Sequence, residues 1–363
     1  MKKLLYILPE YNKDLDGHIF YLVNFVAEVA KQVPVFVIIE KSREQHVYIP
    51  HISGVYVQKC TSLFFRSAEL FFVVLWQRFR GYKTAYIHYS YIGAIVASLV
   101  LRLSWWKTYY RNCGMMWLFG KNTLLKYALH AVNYLVTGVH ALKQGYSETY
   151  GISQEKILIM PNWVELARLQ DPTYDIQQQK ADLGLAPTDK VILFVHRLAP
   201  RKGIQYVSQI AKQFLASPEI KFLVIGDGPY RETFLEEIKD WKLTNITYIG
   251  KVPNREVYRY FLLADVFLMP SEEEGFPRVL IESMACNTPY VASDIGGVKE
   301  ISPQRQQPFI YQIGDIDWFV AGIRTLISLE KPYDYQTYVQ QYDIAPVTKH
   351  FISLLQLDER KSI

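Results

Sequence analysis

The chain has 363 residues, a formal net charge of +5, 50% hydrophobic and 21% charged residues, and a mean hydropathy near zero. It is too long for one ordinary core and suits two domains of about 150 to 200 residues; its balance excludes a disordered chain and carries no bulk membrane signature. Three widely spaced cysteines, Cys60, Cys113 and Cys286, suggest neither a disulfide framework nor a zinc site and point to a reducing cytoplasm.

The opening Met1–Pro9 carries two lysines and an apolar run of only about six residues with no small-residue cleavage site, so it reads as a first strand. Strand-like and helix-like runs then alternate: Lys3–Leu8, a helix over 18–32, Val35–Glu40, Val55–Val57, a helix from Ser62, Ala85–Ile87, a helix from Ile92, Thr108–Tyr110, Tyr134–Thr137 and a helix over 141–150. Such alternation predicts a parallel sheet covered on both faces. The longest uncharged apolar run, Tyr91–Leu101, meets Arg102 well short of the ~20 residues a membrane span needs. The strand-like Ile157–Ile159 closes the first half, and the Gln-rich 169–179 reads as an interdomain linker. A second series follows: Val191–Val195, a helix after Gly203, Lys221–Ile225, a helix from Tyr230, Ile246–Ile249, Val266–Met269, a helix from about Phe276, and Pro289–Ala292. The stretch Tyr333–Leu357 reads as helical.

In Ser271-Glu-Glu-Glu274-Gly275-Phe276-Pro277-Arg-Val-Leu-Ile-Glu282, one carboxylate precedes a helix and the other lies on it, roughly 12 Å away at about 1.5 Å per residue. The free N–H groups of Gly275, Phe276 and the residues after Pro277, with the positive end of the helix dipole, form an anion site at that junction. This spacing suits a sugar, a diphosphate and a ribose in line. Arg197 and Lys202, five residues apart where a strand meets a helix, can converge on one diphosphate.

The Glu-x7-Glu pattern of Glu274 and Glu282 resembles that of retaining GT-B glycosyltransferases, in particular glycosyltransferase family 4. The resemblance extends to Val195-His-Arg197-Leu-Ala-Pro-Arg-Lys202-Gly203, Gly226-Asp-Gly228-Pro229, Ala264-Asp265 through Pro270-Ser271, and Gly296-Gly297-Val-Lys-Glu300, in the family's order and spacing. It implies two Rossmann-like domains, 1–165 for the acceptor and 166–340 for the nucleotide sugar, whose parallel sheets face across an interdomain cleft, with 341–363 as a helix crossing back to the first. It implies a retaining, metal-independent transfer by a front-face route. Glu274 would position the donor sugar, Glu282 would hold the ribose, and Arg197 and Lys202 would bind the diphosphate and absorb its developing charge. Backbone groups of Gly250, Lys251 and Val252 would read the base. Gly17 would let the backbone approach the donor phosphate, although Asp16 replaces the usual first glycine of that loop. Trp163 stands where the family has glycine, and so does Asn287, the next residue to tolerate a left-handed turn. Family members commonly carry a histidine at the end of the fifth N-terminal strand. Here that neighbourhood is Tyr110–Gly114 without one, and His88, one strand earlier, is the candidate catalytic substitute, with a core histidine an equal reading. The Gly296–Gly297 turn is as well explained by a cap at Glu300 as by a ligand contact. Asp315-Ile-Asp317 opens a helix, where acids favour the dipole, so no metal is expected. No cofactor is expected beyond a nucleotide-sugar co-substrate of UDP or GDP type.

From Thr61 to His130 nine Lys/Arg face Glu69 alone, a local charge of +8 that leaves −3 elsewhere. Phe64, Phe65, Phe71, Phe72, Trp76, Phe79, Trp105, Trp106 and Trp117 are interleaved with them. Cations among large aromatics suit an anionic membrane surface or a lipid-phosphate acceptor; nucleic acid is not expected, since no binding module for it is present. The expected protein is a cytoplasmic enzyme, peripheral on the inner face of the cell membrane, that glycosylates a glycan or lipid-linked acceptor. The alternatives are a catalytically degenerate nucleotide-sugar-binding subunit and a nucleotide-sugar epimerase.

Overall fold

In the computed structural model, residues 2–12, 18–44, 46–101, 106–120, 122–169, 174–329 and 333–358 are described, His18 for its backbone only. The chain divides into two units, one of residues 1–163 with 344–363 and the other of Val164–Asp343. Each is built on a wholly parallel sheet, as the strand and helix alternation predicts.

The first sheet contains β1 (Lys3–Leu8), β2 (Val35–Ile39), β3 (Gly54–Val57), β4 (Tyr82–His88), β5 (Lys107–Arg111), β6 (Tyr134–Thr137) and β7 (Ile157–Ile159) in the order β3-β2-β1-β4-β5-β6-β7. Leu4 to Leu8 and all of β2 are buried, the uninterrupted apolar reading of strands covered on both faces. The helix His18–Ala30 turns Ile19, Leu22, Val23 and Val26 inward, at the 3-4 spacing of one helical face. Against it packs the last helix, Ile344–Leu354, with Phe351 fully buried. Trp163 is buried and stacks on Phe25 at 4.0 Å.

The second sheet contains β8 (Lys190–Val195), β9 (Ile220–Ile225), β10 (Ile246–Gly250), β11 (Val266–Met269), β12 (Tyr290–Ser293) and β13 (Ile310–Tyr311) in the order β10-β9-β8-β11-β12-β13. The short β13 is absent from the sequence reading because two residues are too few to show a period. The expected linker is corrected: residues 170–173 lie outside the described residues, and Ile176–Asp182 is a helix of the second unit. Asp175 caps it, accepting from the N–H groups of Gln177 and Gln178 at 2.9 and 3.0 Å. The expected left-handed turn at Asn287 is present, with φ of 56°, and Asn287 Oδ1 also accepts from Tyr335 N.

Candidate active site

In both sheets the chain lays down its first three strands outward to one side and then returns to place the fourth beside the first. Between the first and fourth strands, loops diverge to opposite faces and open a crevice at the carboxyl ends, which is where open α/β sheets bind ligands. In the second unit this switch point lies between β8 and β11, which pair through Ile192–Val266 and Leu193–Phe267. The segment leaving β8 is His196–Gly203, and the one leaving β11 is Pro270–Pro277.

These two segments meet on a single carboxylate oxygen. Lys202 Nζ donates to Glu274 Oε1 at 2.7 Å and to the Glu273 carbonyl at 3.0 Å. Ser271 Oγ donates to the same Oε1 at 3.1 Å, and His196 Nε2 stands 2.9 Å from it. The His196 contact is at ion-pair distance, and Nε2 lacks hydrogen-bond alignment. Glu274 is 7% exposed. Burial alone would raise its carboxyl; the nearby His196 and the charge and hydrogen bond of Lys202 outweigh burial and hold it down at about 2. Glu274 is therefore ionised at neutral pH. All its described contacts go to Oε1, which leaves Oε2 for another donor.

Two glycines make this convergence possible. Gly203, at φ 76°, brings its backbone so close to β11's exit that a Cβ there would lie 2.0 Å from the Pro270 carbonyl oxygen. Gly296, at φ 53°, backs the Glu274 carbonyl so closely that a Cβ would lie 1.7 Å from it. The Gly296–Gly297 turn thus supports Glu274 from behind, and Gly297 N donates to the Gly275 carbonyl at 3.1 Å.

Arg197 is exposed beside this cluster and has no partner among the described residues. Arg201 pairs with Glu273 at 3.5 Å. The helix after Glu274 runs Arg278–Ala285 with Pro277, extended at φ −76° and ψ 99°, as its cap, so it begins two residues later than the sequence predicts. Glu282 sits half-buried on it; Gly275 and Pro277 are buried, as is Phe276, whose ring lies 6.1 Å from that of Tyr342. Gly250 ends β10 at φ 84° and accepts from Gly226 N at 2.9 Å; Lys251 is exposed and Val252 half-buried. β10 stands two strands from β8, roughly 10 Å at 4.7–4.9 Å per strand. Asp315 precedes the helix Ile316–Ser328 without a side-chain cap bond, and Asp317 is in its first turn. No group of metal-binding side chains occurs among the described residues.

In the first unit the switch point lies between β1 and β4. Gly17 lies outside the described residues. His88 ends β4 and is 1% exposed, with its Nδ1 3.0 Å from Tyr6 Oη in an aromatic cluster with Tyr86 and Tyr89, the surroundings of a core histidine. A strand-end position says where a residue lies along the sheet, and the packing around it decides whether it is presented. Sequence reasoning assigned no role to His196 or Ser271. Both flank residues it did single out, and the adjacency of β8 and β11 is the signal that joins them.

Residues 175–341 match the model of a family described as glycosyl transferases group 1. The chain is 28% identical over 142 residues to the N-acetyl-alpha-D-glucosaminyl L-malate synthase of Bacillus anthracis, covering 39% of this chain and 37% of that protein. It is 25% identical over 255 residues to the phosphatidylinositol N-acetylglucosaminyltransferase GPI3 subunit of Saccharomyces cerevisiae, covering 68% of this chain and 54% of that one. The chain thus spans about half or less of the length of these curated relatives. Among solved structures, the Anabaena protein Alr3699/HepE in complex with UDP and glucose superposes with a TM-score of 0.81 at 18% identity, over 99% of this chain and all of that one. The lipopolysaccharide outer core galactosyltransferase WaaB does so at 0.75 and 17%, over 98% of this chain and 100% of that one.

Proposed function

Through residues 175–341 the chain belongs to the glycosyl transferases group 1 family, within a GT-B fold, and on that premise we propose that it moves a sugar from a nucleoside-diphosphate donor to a glycan or lipid-linked acceptor with retention at the anomeric carbon. The observation that carries this reading is the ionised Glu274, clamped through one oxygen at the switch point of the second unit. Its free Oε2 accepts hydroxyl hydrogen bonds from the donor sugar. Lys202 spends two of its three N–H donors on Glu273 and Glu274 and keeps one for a phosphate oxygen. Arg197 supplies its whole guanidinium to the diphosphate. Glu282 holds the ribose, backbone groups around Gly250, Lys251 and Val252 take the base, and the buried turn Gly275–Pro277 places the helix N-terminus toward the anion. The first unit we assign to the acceptor. His88, held by Tyr6, has a packing role.

In the reaction the bond between the anomeric carbon and the diphosphate oxygen breaks, and the acceptor oxygen bonds to that carbon on the same face. The acceptor's proton passes to the departing phosphate oxygen. Arg197 and Lys202 meet the charge that develops on the leaving diphosphate without a metal, and such fixed charges act chiefly on the transition state. A UDP donor is supported by the Anabaena structure solved with UDP-glucose, and GDP is its alternative.

An anionic membrane as the acceptor's site is supported by the helix Leu63–Phe79. Its buried residues Leu70, Val74 and Gln77 form one stripe, and Phe65, Phe72, Trp76 and Phe79 form the opposite one, exposed at 62 to 78%. No helix among the described residues is long and apolar enough to cross a membrane. We assign the protein to the cytoplasmic face as a peripheral enzyme.

A thermal-shift panel of UDP- and GDP-sugars tests the donor assignment. The correct donor at about 100 times its Kd stabilises by ~2.7 kcal/mol, a rise of roughly 5–10 °C for a unit of this size. Glu274→Ala is expected to lower transfer at least ~100-fold while retaining the fold. A panel in which no nucleotide sugar raises the midpoint sinks the reading, and saturable binding without transfer or slow hydrolysis favours the non-catalytic subunit.

A further inference from the structure

A cavity of about 440 Å3 opens at the other end of the first sheet, where β1, β4 and β5 begin. Four lysines line it, Lys2, Lys3, Lys83 and Lys107, together with Thr84 and Gln356. The four come from three strand starts that the sheet order makes neighbours, so their grouping is a product of topology and is invisible in the sequence.

No described carboxylate neutralises these charges, although the Lys3 and Lys107 ammonium groups lie 5.5 and 5.9 Å from the Tyr82 and Tyr134 ring centres. Lys2 Nζ donates to the Gln356 carbonyl at 2.6 Å, Lys107 Nζ to Gln356 Oε1 at 2.9 Å, and Lys3 Nζ to the Arg80 carbonyl at 2.9 Å. All three acceptors are neutral. Lys83 has no partner among the described residues, and none of the four lysines forms an ion pair with a described carboxylate. Each ammonium has three N–H donors, so at least two on every lysine remain unused by the described protein.

Gln356 shows that the grouping is built. The last helix ends in the paired bonds Gln356 N to the Ser353 carbonyl and Leu357 N to the Ile352 carbonyl, the Schellman arrangement whose left-handed position ordinarily belongs to glycine. Gln356 occupies it at φ 55°. From that disfavoured backbone, its carbonyl holds Lys2 and its side-chain oxygen holds Lys107, so one residue fixes two cations of the cavity. A glycine would relieve the backbone and release Lys107.

We propose that this cavity binds a phosphate-type polyanion, a diphosphate or a phosphorylated headgroup. Ammonium groups act on phosphate as point charges with freely directed donors, whereas planar carboxylates favour the guanidinium fork, and no arginine lines the cavity. Every lining residue belongs to the first unit, while Arg197, Lys202 and Glu274 belong to the second. The lining lies at the amino ends of β1, β4 and β5 and shares no residue with the donor site, so the proposal stands whether or not the donor assignment holds.

Titration calorimetry of the full chain with inorganic pyrophosphate at low ionic strength tests it, using Arg197→Ala/Lys202→Ala to remove donor-site binding. Saturable binding should persist in that variant and weaken roughly tenfold when Lys83→Ala is added. Lys83 breaks no described protein contact, so the melting midpoint should not move. Gln356→Gly, which keeps the four lysines, should weaken binding by a smaller factor. Vesicles with and without phosphatidic acid then separate the sources. Vesicle binding that free pyrophosphate displaces and Lys83→Ala weakens identifies a lipid headgroup, and pyrophosphate binding without vesicle binding identifies a soluble phosphate; both support the site. Pyrophosphate affinity unchanged by Lys83→Ala, or no saturable binding in the donor-site variant, overturns it.

Discussion

Glu274 is an acid whose surroundings forbid its protonation across the ordinary pH range. Its carboxyl is held at about 2 against an ordinary 4.5, so the folded state binds the proton more weakly than the unfolded chain does. The stabilisation is complete above about 4.5 and is lost as pH falls through about 2, at ~1.4 kcal/mol per pH unit between those values. Urea unfolding of Glu274→Gln at pH 7, 4.5 and 3 should therefore show a flatter acid limb than the parent chain. Equal slopes would mean that Lys202 and His196 do not hold the carboxylate as described. At this scale the residue types were legible: Glu274, Glu282, Arg197 and Lys202 stand at recognisable spacings. Their pairing was not. Lys202 and Glu274 were assigned to phosphate and sugar respectively, and their mutual contact across 72 positions depends on two strands being neighbours.

Among the elements, the helix Leu63–Phe79 departs most from ordinary burial. The basic aromatic zone looked uniform in sequence, but packing divides it. Trp106 receives the Arg78 guanidinium at 5.0 Å, and Trp117 meets the Tyr146 ring at 5.4 Å, whereas Phe72 and Phe79 are 66% and 78% exposed. Apolar area of this kind inserted at a bilayer interface contributes binding in proportion to its size, reinforced by anionic lipid. Phe72→Ser/Phe79→Ser should weaken sedimentation with anionic vesicles roughly tenfold and leave the melting midpoint within a few degrees. Undiminished binding by the double variant would remove this face as the docking surface. Alternating periods made the strands and helices readable, since side-chain direction repeats locally. Which aromatics remain outside depends on what packs over each one, and periodicity does not report that.

For the molecule as a whole, the first unit is completed by residues 344–363, far along the chain from its other strands. Phe351 is fully buried, with ring centroids 4.8 Å from Tyr86 and 5.1 Å from Phe25. Phe351→Ala should cost ~3–5 kcal/mol, a large share of a typical domain's 5–15 kcal/mol. Hydrogen exchange should quicken at β1 and β4 in proportion. A loss under about 1 kcal/mol, measured by denaturant unfolding, would show that the last helix does not complete this core.

By itself the sequence determined two parallel α/β units, a resemblance to a glycosyltransferase family in the second, and the residue types at its switch point, because helical and strand periods and motif spacings are properties of neighbours in the chain. Tertiary structure alone decided that Lys202, His196 and Ser271 converge on one oxygen of Glu274, that His88 is enclosed by tyrosines, and that four lysines share a cavity. Each of these depends on the order in which strands lie side by side and on what covers their ends, and parallel pairing separates those contacts by tens to hundreds of residues.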